Sequence, residues 1–145
     1  MATVVEQARE YLSLSPLDGW LIYDFQGMNP AFAEVVGAAN NLTRPVFALV
    51  LPDGDPVLLA HAVDVGRFDL TGWNIQGYSG QSELHSSLAA LLAPLSNVAM
   101  EYSPQGALPK MSRVDAGTIE LVRSFGKTVT TSADLIQFAT QRWTT

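Results

Sequence analysis

Cysteine is absent from the chain, so disulfides and thiolate-held metals are ruled out and no oxidising compartment is implied. Only two histidines occur, His61 and His85, whereas a hydrolytic metal site ordinarily gathers three or more His or carboxylate ligands at one point. Positive charge is also scarce. Eight Lys and Arg against fourteen Asp and Glu give a net charge of −6 and a pI near 4.6. The eight are scattered, which argues against a nucleic-acid partner, because phosphate-backbone binding is carried by clustered cations. No long apolar run exists either: the longest, Val46 to Leu51, falls far below the ~20 residues of a membrane helix. The first ten residues lack the basic-then-apolar order of a secretory signal. The expectation is a cytoplasmic protein with no membrane and no nucleic-acid partner.

Several catalytic signatures are missing as well. No G-x-S-x-G is present to hold a strained serine nucleophile, and Ser79-Gly80 reads as a turn before a helix. The glycines at 19, 27 and 37 form neither a G-x-G-x-x-G nor a P-loop.

What the 145 residues do contain, 48% of them hydrophobic, is enough for one domain with its own core. Val5, Ala8 and Leu12 share a helical face over Val4 to Leu12. Trp20 to Tyr23 reads as a buried strand, followed by a polar loop, Asp24 to Pro30, and a short helix, Ala31 to Val36, stopped by Gly37. Val46–Leu51 and Val57–Ala62 flank Pro52-Asp53-Gly54-Asp55-Pro56, a hairpin with turn chemistry between its arms. Asn74 to Tyr78 and Val98 to Tyr102 are further strands. Ser82 is the expected cap of a helix with Leu84, Leu88, Leu91 and Leu92 on one face. Asp115 is the expected cap for Ala116 to Phe125, with Gly126 as its stop. Lys127 to Thr131 is a sixth strand, and Ser132 caps a last helix reaching Trp143. Alternation of this kind, with one hairpin inside it, predicts an α/β single domain: a mixed, roughly six-stranded sheet with flanking helices.

Few residues stand out for chemistry. His61 lies three residues before Asp64 and could approach it, although a strand-end histidine bonded to a neighbour is the more ordinary reading. His85 falls in the first turn of a polar-faced helix and is expected at the surface. The acids Asp18, Asp24, Asp64, Asp69 and Glu101 could in principle serve a two-metal nuclease. However, Asp18 and Asp24 fall at opposite ends of one strand and Glu101 on another, so spacing does not make them converge. The loop Asp24-Phe25-Gln26-Gly27-Met28-Asn29-Pro30 follows a buried strand directly, where α/β proteins tend to place ligand contacts. It either meets a partner or peptide or is a connector whose Phe25 and Met28 fill the core edge.

Several stretches in succession resemble a known family. They are Asp18-Gly19-Trp20-Leu21-Ile22-Tyr23-Asp24-Phe25, Gly27, Asn29-Pro30, the hairpin arm Val57–His61, and Met100-Glu101-Tyr102-Ser103-Pro104. Ser112-Arg113-Val114-Asp115-Ala116-Gly117-Thr118-Ile119-Glu120-Leu121-Val122-Arg123-Ser124 and Ser132-Ala133-Asp134-Leu135-Ile136-Gln137 follow in order. Together they look like the N-terminal domain of the creatinase/prolidase/aminopeptidase P group, the M24 metallopeptidases. Asp24–Pro30 departs from the N-I-R-Y-L-T-G-like loop that commoner relatives carry there. The resemblance implies a ribonuclease H-like α/β fold of creatinase N-terminal type over residues 1–145, preceding a separate catalytic domain. That second domain would bind two divalent ions (Mn, Co or Zn) through two Asp, one His and two Glu. None of those five ligands has a matching position here, so this stretch alone is expected to be inactive, with no catalytic, cofactor or metal residue of its own. The implied partners are the chain's own C-terminal catalytic domain and a neighbouring subunit of a homodimer or tetramer. Asp24, Phe25, Gln26, Met28 and Asn29 would line the entrance to that subunit's Xaa-Pro peptidase site. The alternative is a stand-alone module that holds a small molecule or peptide with the same loop and an open sheet edge.

Overall fold

The structure, a computed structural model, describes residues 3–37, 42 and 44–141. Helix α1 (Val4–Ser13) opens on a reciprocal cap: Glu6 N donates to Thr3 Oγ1 at 3.1 Å and Thr3 N to Glu6 Oε1 at 2.9 Å. Strand β1 (Gly19–Asp24) follows, then α2 (Pro30–Val36), with Asn29 as N-cap and Pro30 in the first turn, where its missing N–H leaves no bond unmade. The hairpin forms as its turn chemistry predicts. Strands β2 (Val46–Val50) and β3 (Val57–His61) pair antiparallel, with Phe47 opposite Leu59 and Ala48 opposite Leu58. After β4 (Asn74–Tyr78) come α3 (Gln81–Leu92), β5 (Asn97–Met100), α4 (Ala116–Ser124), β6 (Thr128–Thr131) and α5 (Ala133–Gln141).

The six strands form one sheet in the order β4-β3-β2-β1-β5-β6. Only β2 runs against the rest. The carboxyl ends of five strands therefore emerge on one edge, with the amino end of β2 among them. Trp20, Ile22, Ala48, Val50, Leu58 and Ala60 face α1, α2 and α5. Their alternates, Leu21, Phe47, Leu49, Leu59, Val98 and Met100, face α3 and α4. Each central strand is thus buried on both sides, which is why it reads as a continuous apolar run. This is the mixed, helix-flanked, six-stranded α/β domain expected from the pattern.

Some boundaries differ, each for a local reason. The fifth strand ends at Met100 and not at Tyr102, because the Glu101 carbonyl accepts from Arg113 N (3.2 Å) and Val114 N (3.1 Å) and so leaves the ladder. Gly80, not Ser82, occupies the N-cap of α3; Glu83 Oε1 accepts instead from Ser79 N at 3.0 Å. Asp115 does cap α4, taking Thr118 N at 3.0 Å. The end of the last helix expected at Trp143 lies outside the described residues.

At the opposite, amino edge, Asp18 acts as a clasp. Its carboxylate accepts from Ser96 N (2.8 Å) and Asn97 N (2.9 Å), while its own N–H donates to Asn97 O (2.8 Å). These amides, Asn97 first and then Ser96, hold the Asp18 carboxyl below the usual carboxylate range.

Burial separates two leucines cleanly. Leu88 of α3 is fully buried and Leu14 is 79% exposed. Leu88→Ala is expected to lower unfolding free energy by about 2–5 kcal/mol in urea titration, whereas Leu14→Ala should stay within about 0.5 kcal/mol of the parent.

Candidate functional site at the carboxyl edge

Where β5 and β6 end side by side, next to β1, one carboxyl group gathers the polar chemistry of the edge. Glu101, directly after β5, is 1% exposed. Its Oε2 accepts from the Trp20 indole Nε1 (2.6 Å) and the Ser132 hydroxyl (2.7 Å), and its Oε1 accepts from Asn29 Nδ2 (2.7 Å). The three donors come from β1, from the cap of α2 and from the residue between β6 and α5. Burial raises the Glu101 pKa above the ordinary glutamate range; the hydrogen bonds from Ser132, Trp20 and Asn29 oppose that shift without cancelling it. A cleft of about 280 Å³ lies beside this network, with Glu34, Lys110 and Arg113 among its lining.

Loop 24–30 is built onto the same network. Asp24 is buried and accepts from Gly27 N (2.9 Å) and Asn29 N (2.8 Å). Asn29 is buried too: besides Glu101, its Nδ2 donates to Tyr23 O (2.8 Å), and its Oδ1 accepts from Ala31 N (3.1 Å). Between them Gln26 and Gly27 both hold left-handed backbone (φ 57° and 74°), closed by Met28 N donating to Phe25 O at 3.2 Å. Glycine adopts that conformation freely, and glutamine does so only when its neighbours hold it there. Of the five loop residues singled out, Asp24 and Asn29 thus turn their polar groups inward. Gln26 is exposed, Met28 is 64% exposed, and Phe25 is half-buried. Met28 therefore does not fill the core edge.

The remaining candidates fall apart spatially. Asp18 lies on the far edge of the sheet. His61 and Asp64 each have another partner: His61 Nδ1 accepts from Val63 N at 3.1 Å, and Asp64 Oδ1 meets Arg67 Nε at 3.6 Å. Asp69 is exposed. His85 is half-buried and lines, with His61, a second cleft on the α3/α4 face. Among the described residues no three His, Asp or Glu side chains are placed to hold a metal ion. A divalent ion does not fit at Glu101, where it would meet the N–H and O–H donors that already surround both oxygens. Sequence reading missed Trp20 and Ser132 as members of this network. The signals available were a glutamate directly after a buried strand and an indole N–H that needs an acceptor when buried.

No protein-family model and no curated protein sequence matches the chain. Solved structures do match, and they define a fold class first: N-terminal domains of dipeptidases. A domain of a dipeptidase from Streptococcus thermophilus, described as of the Creatine_N superfamily, superposes with a TM-score of 0.71 at 14% identity, over 94% of this chain and 98% of that one. The creatinase/prolidase N-terminal domain of an X-Pro dipeptidase from Streptococcus pyogenes gives 0.68 at 16%, over 88% and 98%. A dipeptidase from Pyrococcus horikoshii OT3 gives 0.70 at 16%, over 93% of this chain but only 35% of its own. The fold is therefore that of creatinase/prolidase N-terminal domains, as the resemblance implied; in the longer structure the similar part is about a third of the whole.

Because burial raises the folded-state pKa of Glu101 above its unfolded value, its linked stability is fully present below the ordinary glutamate range. That contribution is lost as pH rises through the folded pKa. Urea midpoints measured at stepped pH should fall across that window. Glu101→Gln should lack this component, and it should be less stable by about 1–3 kcal/mol below the window, because an amide N–H would oppose one of the donors.

Proposed function

We propose that the chain is the non-catalytic N-terminal domain of an Xaa-Pro dipeptidase or aminopeptidase of the creatinase/prolidase type. The observation that carries this reading is the sheet itself: six strands with one reversed, in an order that superposes along 98% of two isolated N-terminal domains of such enzymes. The hydrolytic step belongs to a following domain that would supply two divalent ions and their Asp, His and Glu ligands. This domain contributes shape. Loop 24–30 presents Gln26 and Met28 outward from a rigid base, and we place this surface at the entrance to a neighbouring subunit's peptidase site. Its base, Asp24 and Asn29, is tied to β1 and Glu101 and so holds the turn at a fixed height above the sheet. Phe25, between this base and the exposed tip, is half-buried.

The purified 145-residue chain should release no proline from an Xaa-Pro dipeptide with or without Mn²⁺, while the longer polypeptide containing it should do so in a metal-dependent way. In that longer protein, Met28→Asp should change KM for the dipeptide or the assembly state seen by light scattering, with protomer melting unchanged. Hydrolysis by the chain alone would sink the proposal. Unchanged KM and assembly in Met28→Asp would reduce the loop to a connector.

A further inference from the structure

The second cleft at the carboxyl edge lies on the α3/α4 face and encloses about 770 Å³, within the roughly 300–1,000 Å³ of small-ligand sites. Its apolar part is largely aromatic. Tyr23 and Phe47 stand opposite each other across β1 and β2 and pack ring to ring at 5.2 Å and 54°. Leu84 of α3 and Leu121 of α4 join them in the lining. Rings and leucines together offer a ligand an apolar bed, and aromatic rings favour another ring beyond the area they bury.

The polar groups of the cleft gather around Tyr78. Its hydroxyl donates to Pro45 O, the residue after Arg44, at 2.5 Å, and its ring meets His61 edge-on at 5.3 Å and 81°. Arg44, His61 and Tyr78 are thus brought to one place from just before β2 and from the ends of β3 and β4. Burial chiefly, and Asp64 after it, push the Tyr78 phenol up to about 12, while Arg44 pulls the other way, as a guanidinium near the hydroxyl does. Val63 N donates to His61 Nδ1 at 3.1 Å, so the neutral ring carries its hydrogen on Nε2 and can donate it.

The positive charge here is unanswered. Arg44 is exposed and makes no ion pair among the described residues. Each acid nearby is engaged elsewhere or stands apart. Asp64 meets Arg67 at 3.6 Å, Asp115 accepts from Thr118 N (3.0 Å) and Thr118 Oγ1 (2.7 Å) as the cap of α4, and Glu120 lines the cleft without pairing with Arg44. Arg123 adds no second cation, because it is turned onto the Tyr102 ring, 5.5 Å from its centroid. One guanidinium beside an imidazole N–H calls for one negative charge, and its planar fork matches a carboxylate. We infer that this cleft binds an aromatic monocarboxylate, with the carboxylate on Arg44 beside His61 and the ring among Tyr23, Phe47 and the two leucines. The inference is one of binding, with no bond broken, and it does not rest on the peptidase reading.

The test uses the whole chain and naphthoate at neutral pH, followed by ¹H–¹⁵N NMR. Saturable shifts should be confined to residues of this cleft. Naphthamide keeps the rings and lacks the charge, and it should bind about tenfold or more weakly. Decalin carboxylate keeps the charge and lacks the aromatic rings, and it should bind about threefold or more weakly. Arg44→Gln should bring naphthoate and naphthamide to nearly equal affinity, with shifts outside the cleft as in the parent. Should that variant not fold, the comparison of naphthoate with naphthamide on the parent decides the charge alone. No saturable shift, shifts centred elsewhere, naphthamide or decalin carboxylate binding as tightly as naphthoate, or a folded Arg44→Gln that keeps the preference would each overturn the inference. Dipeptide hydrolysis tests the other reading and leaves this result untouched.

Discussion

A buried carboxyl group held by hydrogen-bond donors, with no ion pair to it among the described residues, holds the carboxyl edge of this sheet together. Burying such a group is costly unless its oxygens are hydrogen-bonded, and Glu101 meets that demand with three donors from three separate segments. The dependence is mutual. The Trp20 indole and the Asn29 amide are themselves buried, and without Glu101 the indole N–H and one of the two amide N–H groups of Asn29 would be left unpaired. One side chain therefore ties together β1 near its start, the start of α2 and the approach of α5. Everything displayed on that edge, including the loop with Gln26 and Met28, inherits its position from this junction.

Much of the fold was legible because it is decided locally. The hairpin could be read from Pro52 to Pro56, and α4 from Asp115 and Gly126, since turn and cap chemistry act within a few residues. What escaped was decided across distance. Ser132 stands directly before a helix, as a capping serine would, yet its hydroxyl is donated to Glu101, 31 residues away. The two short 3₁₀ turns Pro104–Gly106 and Pro109–Met111 gave no periodic signal. In loop 24–30 the residue types were read correctly, but their orientation was not. Asp24 and Asn29 look like groups offered to a ligand, and the fold spends them on backbone amides and on Glu101. Only the third dimension separates those two uses of the same residues.

Sharing a fold at 14–16% identity means that the architecture persists while most side chains differ. A fold of this kind sets where chemistry can be placed and leaves its nature to the side chains at the site. Here the carboxyl edge carries two unlike surfaces. One, around Glu101, is satisfied internally and serves rigidity. The other, between α3 and α4, is an open cleft whose lining includes Arg44, His61, His85, Asp115 and Glu120.

The outer strands of the sheet have a different consequence. Strands β4 and β6 have five and four residues, and they carry Asn74, Gln76 and Gly77 on one edge and three threonines on the other. Short polar margins of this sort are poor templates for adding a foreign strand, which protects the molecule from ribbon-like aggregation.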